Sequence, residues 1–306
     1  MNTVVIYSVI SLSSIGVLAA IILYVIAEKF KVIEDPRIDV VNDLLPAANC
    51  GGCGYAGCRN FAEEIIKKES LEDFSCPPGG DTTMQKIAEV LGLEAGASVP
   101  KVAVLRCAGS RTNAPQKVVY DGATTCAYVH MLFAGESGCP NGCIGLGDCV
   151  ESCKFDAMYI DKESNLPVIS DTNCVACGAC VKACPRAIIE MRNKGKKDRR
   201  IFVCCINKEK GGPAKKNCSV ACIGCGKCVK ACKFDAITLE NNLAYIDYEK
   251  CKLCRKCAPE CPTTAIVELN FPPRKVKTEA TAKSPVAQKD KQQNEAQSKE
   301  ESKDNN

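Results

Sequence analysis

Twenty-five of the 306 residues are cysteine, and His130 is the one histidine. Many of the cysteines fall in short runs with two residues between neighbours, as in CVACGAC, CIGCGKC and CKLCRKC. Thiols this close suit a shared metal better than a set of bridges, and disulfide frameworks at this density belong to small secreted chains. Zinc sites commonly include histidine. All-thiolate sets repeated this often point instead to iron–sulfur clusters.

The spacing C-x2-C-x2-C-x3-C, followed by proline, is the bacterial ferredoxin pattern. Three closely spaced thiolates bind one [4Fe–4S] cube and the fourth crosses to the partner cube. In the C-terminal copy this assigns Cys222, Cys225 and Cys228 with Cys261 to one cluster. Cys251, Cys254 and Cys257 with Cys232 form the other. CIGLGDCVESCKFDAM (143–158) aligns without gaps on CIGCGKCVKACKFDAI (222–237), and 174–188 aligns on 251–266, so the two-motif unit is duplicated. In the first copy Cys174, Cys177 and Cys180 pair with Cys153. Its other motif has Leu146 where the second copy has Cys225. Cys139 is the expected replacement, giving Cys139, Cys143, Cys149 and Cys184, with Cys126 as the rival. Cys205 and Cys218 stand upstream of the second copy at the offsets of Cys126 and Cys139. With Cys107 and Cys204 they read as buried small hydrophobes or as ligands to something extra. NCGGCGYAGC (49–58) with Cys76 supplies a further set, Cys50, Cys53, Cys58 and Cys76, whose glycines let the backbone wrap close and aim N–H groups at sulfur. A zinc ribbon is the alternative there. Five [4Fe–4S] clusters are expected.

Few aromatics and no long run of apolar strands are present, so the chain cannot form one large core. Small modules held by metal are expected. Val4–Ala27 carries no charge. As a helix it is about 36 Å long, enough for about 30 Å of hydrocarbon. Nothing before it is positive, and Lys29 and Lys31 follow it, which reads as a retained anchor with its C-terminal end cytoplasmic. Phe61, Ala62, Ile65 and Ile66, then Met84, Ile87, Ala88 and Leu91, recur at helical spacing, the second helix capped near Asp81-Thr82. Lys101–Leu105, Lys117–Tyr120 and IFVCC (201–205) read as short strands. The fold class is α+β: one transmembrane helix, a small helical [4Fe–4S] module and two tandem two-cluster ferredoxin-like modules. The expected boundaries are 1–27 for the anchor, 28–95 for the membrane-proximal module and 96–136 for a strand-containing connector. The first ferredoxin-like module is 137–192, a basic connector 193–216, the second module 217–270, and a disordered tail 271–306. A net charge of +4 with mixed signs gives nucleic-acid binding little support.

The membrane helix, NCGGCGYAGC with Cys76-Pro77-Pro78, and GCPNGCIGLGDC among the ferredoxin motifs together resemble the B subunit of the Rnf ion-translocating electron-transport complex. The resemblance covers about residues 1–270, and the ferredoxin pair at 218–269 is additional to the shorter members. It implies an electron-transfer subunit of a ferredoxin:NAD oxidoreductase that moves sodium or protons. The implied partners are the A-, C-, D-, E- and G-type subunits, soluble ferredoxin as donor, and the bilayer through residues 4–27. The implied place is a bacterial plasma membrane, single-pass, with the soluble part cytoplasmic. A ferredoxin-like arm of a hydrogenase or dehydrogenase is the other reading. Asp121–Thr125 is faintly similar to a flavin-carrying threonine motif of neighbouring subunits, but its first position departs. The run NKGKKDRR (193–200) reads as a solvated connector or as a dock for acidic ferredoxin. No glycine-rich nucleotide fingerprint and no nucleophile–base pair is present, so no catalytic site beyond electron transfer is expected.

Overall fold

The computed structural model describes residues 2–29, 35–96 and 99–274; of the tail expected to be disordered, everything beyond 274 lies outside them. Helix α1 (Asn2–Lys29) contains the charge-free run, and none of Ile6–Lys29 is buried. It is the one helix among the described residues long and apolar enough to cross a membrane. A helix meets its own backbone hydrogen-bonding needs, which hydrocarbon cannot do.

The next three helices, α2 (Arg37–Leu44), α3 (Cys58–Lys68) and α4 (Gly80–Leu91), pack as a small bundle. Phe61, Ala62 and Ile65 of α3 are fully buried against Val41 of α2 and Ile87 of α4. They lie on one face because their spacing follows the helical turn. Glu69 (φ 50°) and Gly92 (φ 67°) end α3 and α4 in the left-handed conformation, each donating its N–H back to the last turn. Helix α4 begins at Gly80, so Asp81 and Thr82 lie in its first turn and are not its cap.

Beyond residue 99 the chain repeats one plan twice. The first unit runs β1 (Lys101–Leu105), α5 (Cys126–Leu132), α6 (Asp148–Glu151), β2 (Met158–Ile160), β3 (Pro167–Ile169), α7 (Ala179–Ala183) and β4 (Ile189–Asn193). Its strands form two antiparallel pairs, β2 on β3 with Met158 opposite Ile169, and β1 on β4 with Lys101 opposite Asn193. The second unit runs β5 (Arg200–Val203), α8 (Gly211–Asn217), α9 (Lys227–Ala231), β6 (Ile237–Glu240), β7 (Leu243–Ile246) and β8 (Ile266–Leu269). Its pairs are β6 on β7 and β5 on β8. Asn241 and Asn242, both at positive φ, close the β6–β7 hairpin as a tight two-residue turn demands. The segments 96–136 and 193–216, expected as connectors, thus each supply the strand that pairs with the last strand of a unit.

Lys117–Tyr120 forms no strand. Lys117 donates its N–H to Glu136 O over 2.9 Å and Tyr120 donates to the Glu136 carboxylate over 2.7 Å, while Val119 is 88% exposed. A β-rich composition without a partner edge yields only the isolated bridge Gln116–Ser137. Strand β5 also ends at Val203, before Cys204.

Buried arginines lock the two units together. Arg192, 1% exposed, lies with its guanidinium 5.5 Å from the Phe202 ring, 5.3 Å from Tyr245 and 5.6 Å from Tyr248. Glu190 pairs with it and with Arg106 at 3.3 Å, and Arg106 donates to Cys205 O over 3.2 Å and stacks 5.0 Å from Tyr245. Arg200, from the basic run, is 3% exposed and bound to Asp171 at 2.5 Å. That run is therefore partly structural, which removes Arg200 from any docking surface. Two cations sharing one half-buried carboxylate are stable only while it is present. Glu190→Ala should destabilise the cluster-loaded protein by about 3 kcal/mol, read as a lower denaturation midpoint, while Glu190→Asp should lose less.

Candidate iron–sulfur sites

In the bundle, Cys50, Cys53, Cys58 and Cys76 line one cavity of about 300 Å³. The loop carrying three of them is closed on itself: Asn49 Oδ1 accepts the N–H of Cys58, the first residue of α3, over 2.9 Å. A Cβ on Gly57 would meet that oxygen at 2.9 Å, so the loop needs glycine there. Gly51 (φ 67°) and Gly54 (φ 90°) turn it through conformations that other residues resist. Burial pushes the Cys76 thiol up, the Gly79 N–H pulls it down, and Cys53, Cys58 and Cys50 add to the rise, as neighbours in one set do.

In the first ferredoxin-like unit the expected ligand Cys139 and its rival Cys126 lie in different places. A cavity of about 370 Å³ is lined by Cys143, Cys149, Cys184 and Cys126; Cys139 is not among its walls. Cys126 begins α5, whose N-terminus is tied to the motif by Asp148. That carboxylate accepts the N–H of Cys126 over 2.7 Å and of Ala127 over 3.0 Å. The N–H groups of Leu146, Gly147 and Asp148 are directed at the Cys126 sulfur. Leu146 itself packs with Cys126, Val129 and Ile144 in a small apolar cluster. Leu146 thus stands where the second copy has Cys225, and Cys126 at the start of α5 lies against the same pocket as Cys143, Cys149 and Cys184. A signal for this exists in the sequence: Asp148 stands where the second copy has Lys227, beside the Leu146-for-Cys225 exchange. Cys139 lies instead beside Cys107 and Cys218.

The other sets come together as their spacing implies. Cys222, Cys225, Cys228 and Cys261 line a cavity of about 350 Å³. Burial, with Cys174, Cys177, Cys149 and Cys153 around it, pushes the Cys180 thiol up to about 12. Burial, with Cys251, Cys228 and Cys254 nearby, does the same to Cys257, to about 12, and Cys232 lies beside Cys251. Thiols this reluctant to ionise need a bound cationic group to hold them as thiolates. Among the described residues no three His, Cys, Asp or Glu side chains converge at single-ion spacing. Three of the four-thiol sets instead line pockets, and four thiolates without histidine are the donor set of a [4Fe–4S] cube.

The sets are also neighbours. Cys149 approaches Cys180, and Cys228 approaches Cys257, across each unit. The bundle meets the first unit at Gly52, where a Cβ would lie 2.9 Å from Cys177 Cα, and Cys50 adjoins Cys177. Arg186 enters between Cys139, Cys143, Cys107 and Cys126, donating to Gly142 O and, over 2.5 Å, to Ala134 O. Its counterpart in the second copy is Thr263, which donates to Ala221 O over 2.7 Å. One copy thus has a half-buried cation where the other has a neutral hydroxyl.

A family model described as "Putative Fe-S cluster" matches residues 45–78, and one described as "4Fe-4S dicluster domain" matches 141–188 and 221–265. The chain is 43% identical over 251 residues to the B subunit of the Na(+)-translocating ferredoxin:NAD(+) oxidoreductase complex of Acetobacterium woodii, covering 82% of this chain and 74% of that one. It is 38% identical over 268 residues to the B subunit of the proton-translocating ferredoxin:NAD(+) oxidoreductase complex of Clostridium ljungdahlii, covering 87% and 93%. It is 38% identical over 266 residues to the B subunit of the ion-translocating oxidoreductase complex of Methanosarcina acetivorans, covering 87% and 99%.

Two outcomes are expected. Cys126→Ala should lose about four irons per chain, and adding Leu146→Cys should restore them; iron and acid-labile sulfide assays check this. Arg186→Leu should lower the potential of the adjacent cluster by on the order of 100 mV, since a nearby cation favours the more negative reduced state. Arg186→Lys should largely preserve it, read by EPR-monitored redox titration.

Proposed function

The chain belongs to the family of B subunits of the Rnf ion-translocating oxidoreductase complexes, and from that membership we propose how it carries electrons. It is the iron–sulfur subunit of such a complex, taking electrons from soluble ferredoxin and passing them toward membrane subunits of the A, C, D, E and G types. NAD and the translocated ion are handled by those partners. Helix α1 anchors the chain as a single span of a bacterial plasma membrane. Lys29 and Lys31 favour placing the cysteine-rich part on the cytoplasmic side.

Five thiol sets bind [4Fe–4S] clusters: Cys50/Cys53/Cys58/Cys76, Cys126/Cys143/Cys149/Cys184, Cys153/Cys174/Cys177/Cys180, Cys222/Cys225/Cys228/Cys261 and Cys232/Cys251/Cys254/Cys257. Each cube, when bound, accepts and releases one electron without proton chemistry. The protein's own groups fix the thiols, aim backbone N–H groups at sulfur and exclude water. The observation that carries this reading is the adjacency of sets, with the first lying against the third at Gly52 and Cys177.

Entry is proposed at the opposite end. Cys225 and Cys254 are exposed. Around them Lys227, Lys230, Lys233, Lys250, Lys252 and Lys256 are exposed too, with Phe234 45% exposed among them. Exposed ammonium groups that flank both exposed thiols along the chain, with an apolar side chain among them, suit an acidic ferredoxin and speed its encounter. This surface is a better candidate than the run 193–200, whose Arg200 is buried. Reversing Lys233, Lys252 and Lys256 to Glu should slow reduction by ferredoxin about tenfold or more at low salt. The deficit should shrink as ionic strength rises. Stopped-flow reduction of the cluster-loaded chain measures it, and an unchanged low-salt rate sinks this docking surface.

A further inference from the structure

The chain of adjacent sets has one break. None of the five joins the first ferredoxin-like unit to the second. At that junction lie Cys107, Cys139, Cys205 and Cys218, all buried, none in a disulfide, and all outside the segments matched by the family models. Cys107 Sγ and Cys218 Sγ flank Gly109, where a Cβ would stand 3.5 Å from one sulfur and 3.8 Å from the other. Cys139 adjoins Cys107, Cys205 and Cys218, and Cys205 adjoins Cys218. Cys107, Cys139 and the Cys205–Cys218 segment are well separated in the chain, so the fold assembles them.

Their sulfurs carry the same backbone dressing as the proposed ligands. Cys143 donates its N–H to Cys107 Sγ over 3.3 Å, and Gly109 donates to the same sulfur. Asn141 and Gly142 donate to Cys139, Asn207 and Cys222 to Cys205, and Val220 to Cys218. The buried Asn207 side chain lies 3.9 Å from Cys139 Sγ. Peptide N–H groups converging on four sulfurs offset negative charge there, which four thiols alone do not carry and a thiolate-bound cluster does. Cys204 is different. It donates to Leu105 O over 3.4 Å and is buried with Val104 and Phe202, as a packed thiol.

We propose that Cys107, Cys139, Cys205 and Cys218 bind a sixth [4Fe–4S] cluster that joins the two ferredoxin-like units. The proposal rests on the reading that the other five sets hold clusters. The site's neighbours assign its role: Cys143 of one flanking set donates to Cys107, and Cys222 of the other donates to Cys205. One electron arrives from the Cys222 set and one leaves to the Cys143 set, with no bond broken and no proton moved. The duplication explains the ligand choice. Cys205 is free for the junction because Cys225 completes the set beside it. Its counterpart Cys126 is used in place of Leu146, and Cys107 takes the fourth position.

The test is a count on the full-length chain, assembled anaerobically with iron and sulfide and weighed by native mass spectrometry. Six cubes are expected in the unaltered chain, five in Cys107→Ala and in Cys218→Ala, and six in Cys204→Ala. Five cubes in the unaltered chain, a zinc ion in place of the sixth, or six retained in both ligand variants overturns the site and leaves the five-cluster reading standing. A chain that takes up no cubes removes that reading as well. Where a variant fails to fold, the unaltered chain still decides, because beyond the five sets only these four cysteines and Cys204 remain.

Discussion

Sulfur–metal bonding is the constraint on which this architecture depends. The strands are three to five residues long and pair only two by two. Sheets this small do not hold themselves in water. Between them lie thiols that burial drives strongly toward the protonated form, as at Cys180 and Cys257. Binding a cluster reverses that tendency by drawing off the protons, and it ties loop to loop where hydrophobic area is insufficient. Even the apolar core of the first unit is partly thiol: Cys107, Cys149 and Cys180 share it with Ala103, Met158, Ile188 and Ile189. The helical bundle, with Phe61, Ile65, Ile87 and Val41 fully buried, has the more conventional core.

The two units have diverged in how they manage charge. A carboxylate at Asp148 and a guanidinium at Arg186 crowd the first unit's outer site, where the second unit has Lys227 and Thr263. The junction adds Arg106 and Arg192, held by Glu190 and by three aromatic faces. Arg192 is buried and Arg106 and Arg186 are half-buried, and each lies beside a cysteine sulfur. A cation so placed favours the more negative, reduced state of a neighbouring cluster.

What could be read from the amino-acid sequence follows from how local the determining contacts are. The regular cysteine runs, the apolar helix and the helical faces of α3 and α4 are set by neighbours a few residues away, and their spacing displays them. Cys126 was not so legible. Its place depends on α5 being drawn to Asp148 across a long loop, whereas Cys139 is close in sequence and elsewhere in space. Lys117–Tyr120 has strand-like residues but finds no edge to pair with. Arg200 reads as part of a basic run yet turns inward to Asp171. In each case a tertiary partner, invisible to periodicity, decided the outcome.

The crossing of each fourth cysteine into its neighbour's site has a consequence for biogenesis. The bundle's thiols all lie between residues 50 and 76, so that site is complete early in translation. On the proposed ligand sets, neither site of a ferredoxin-like unit can close until both of its motifs have been made, since Cys153 is grouped with Cys174–Cys180 and Cys143 and Cys149 with Cys184. On those sets the bundle's site is the first that a growing chain can complete, and the sites of the second unit are the last.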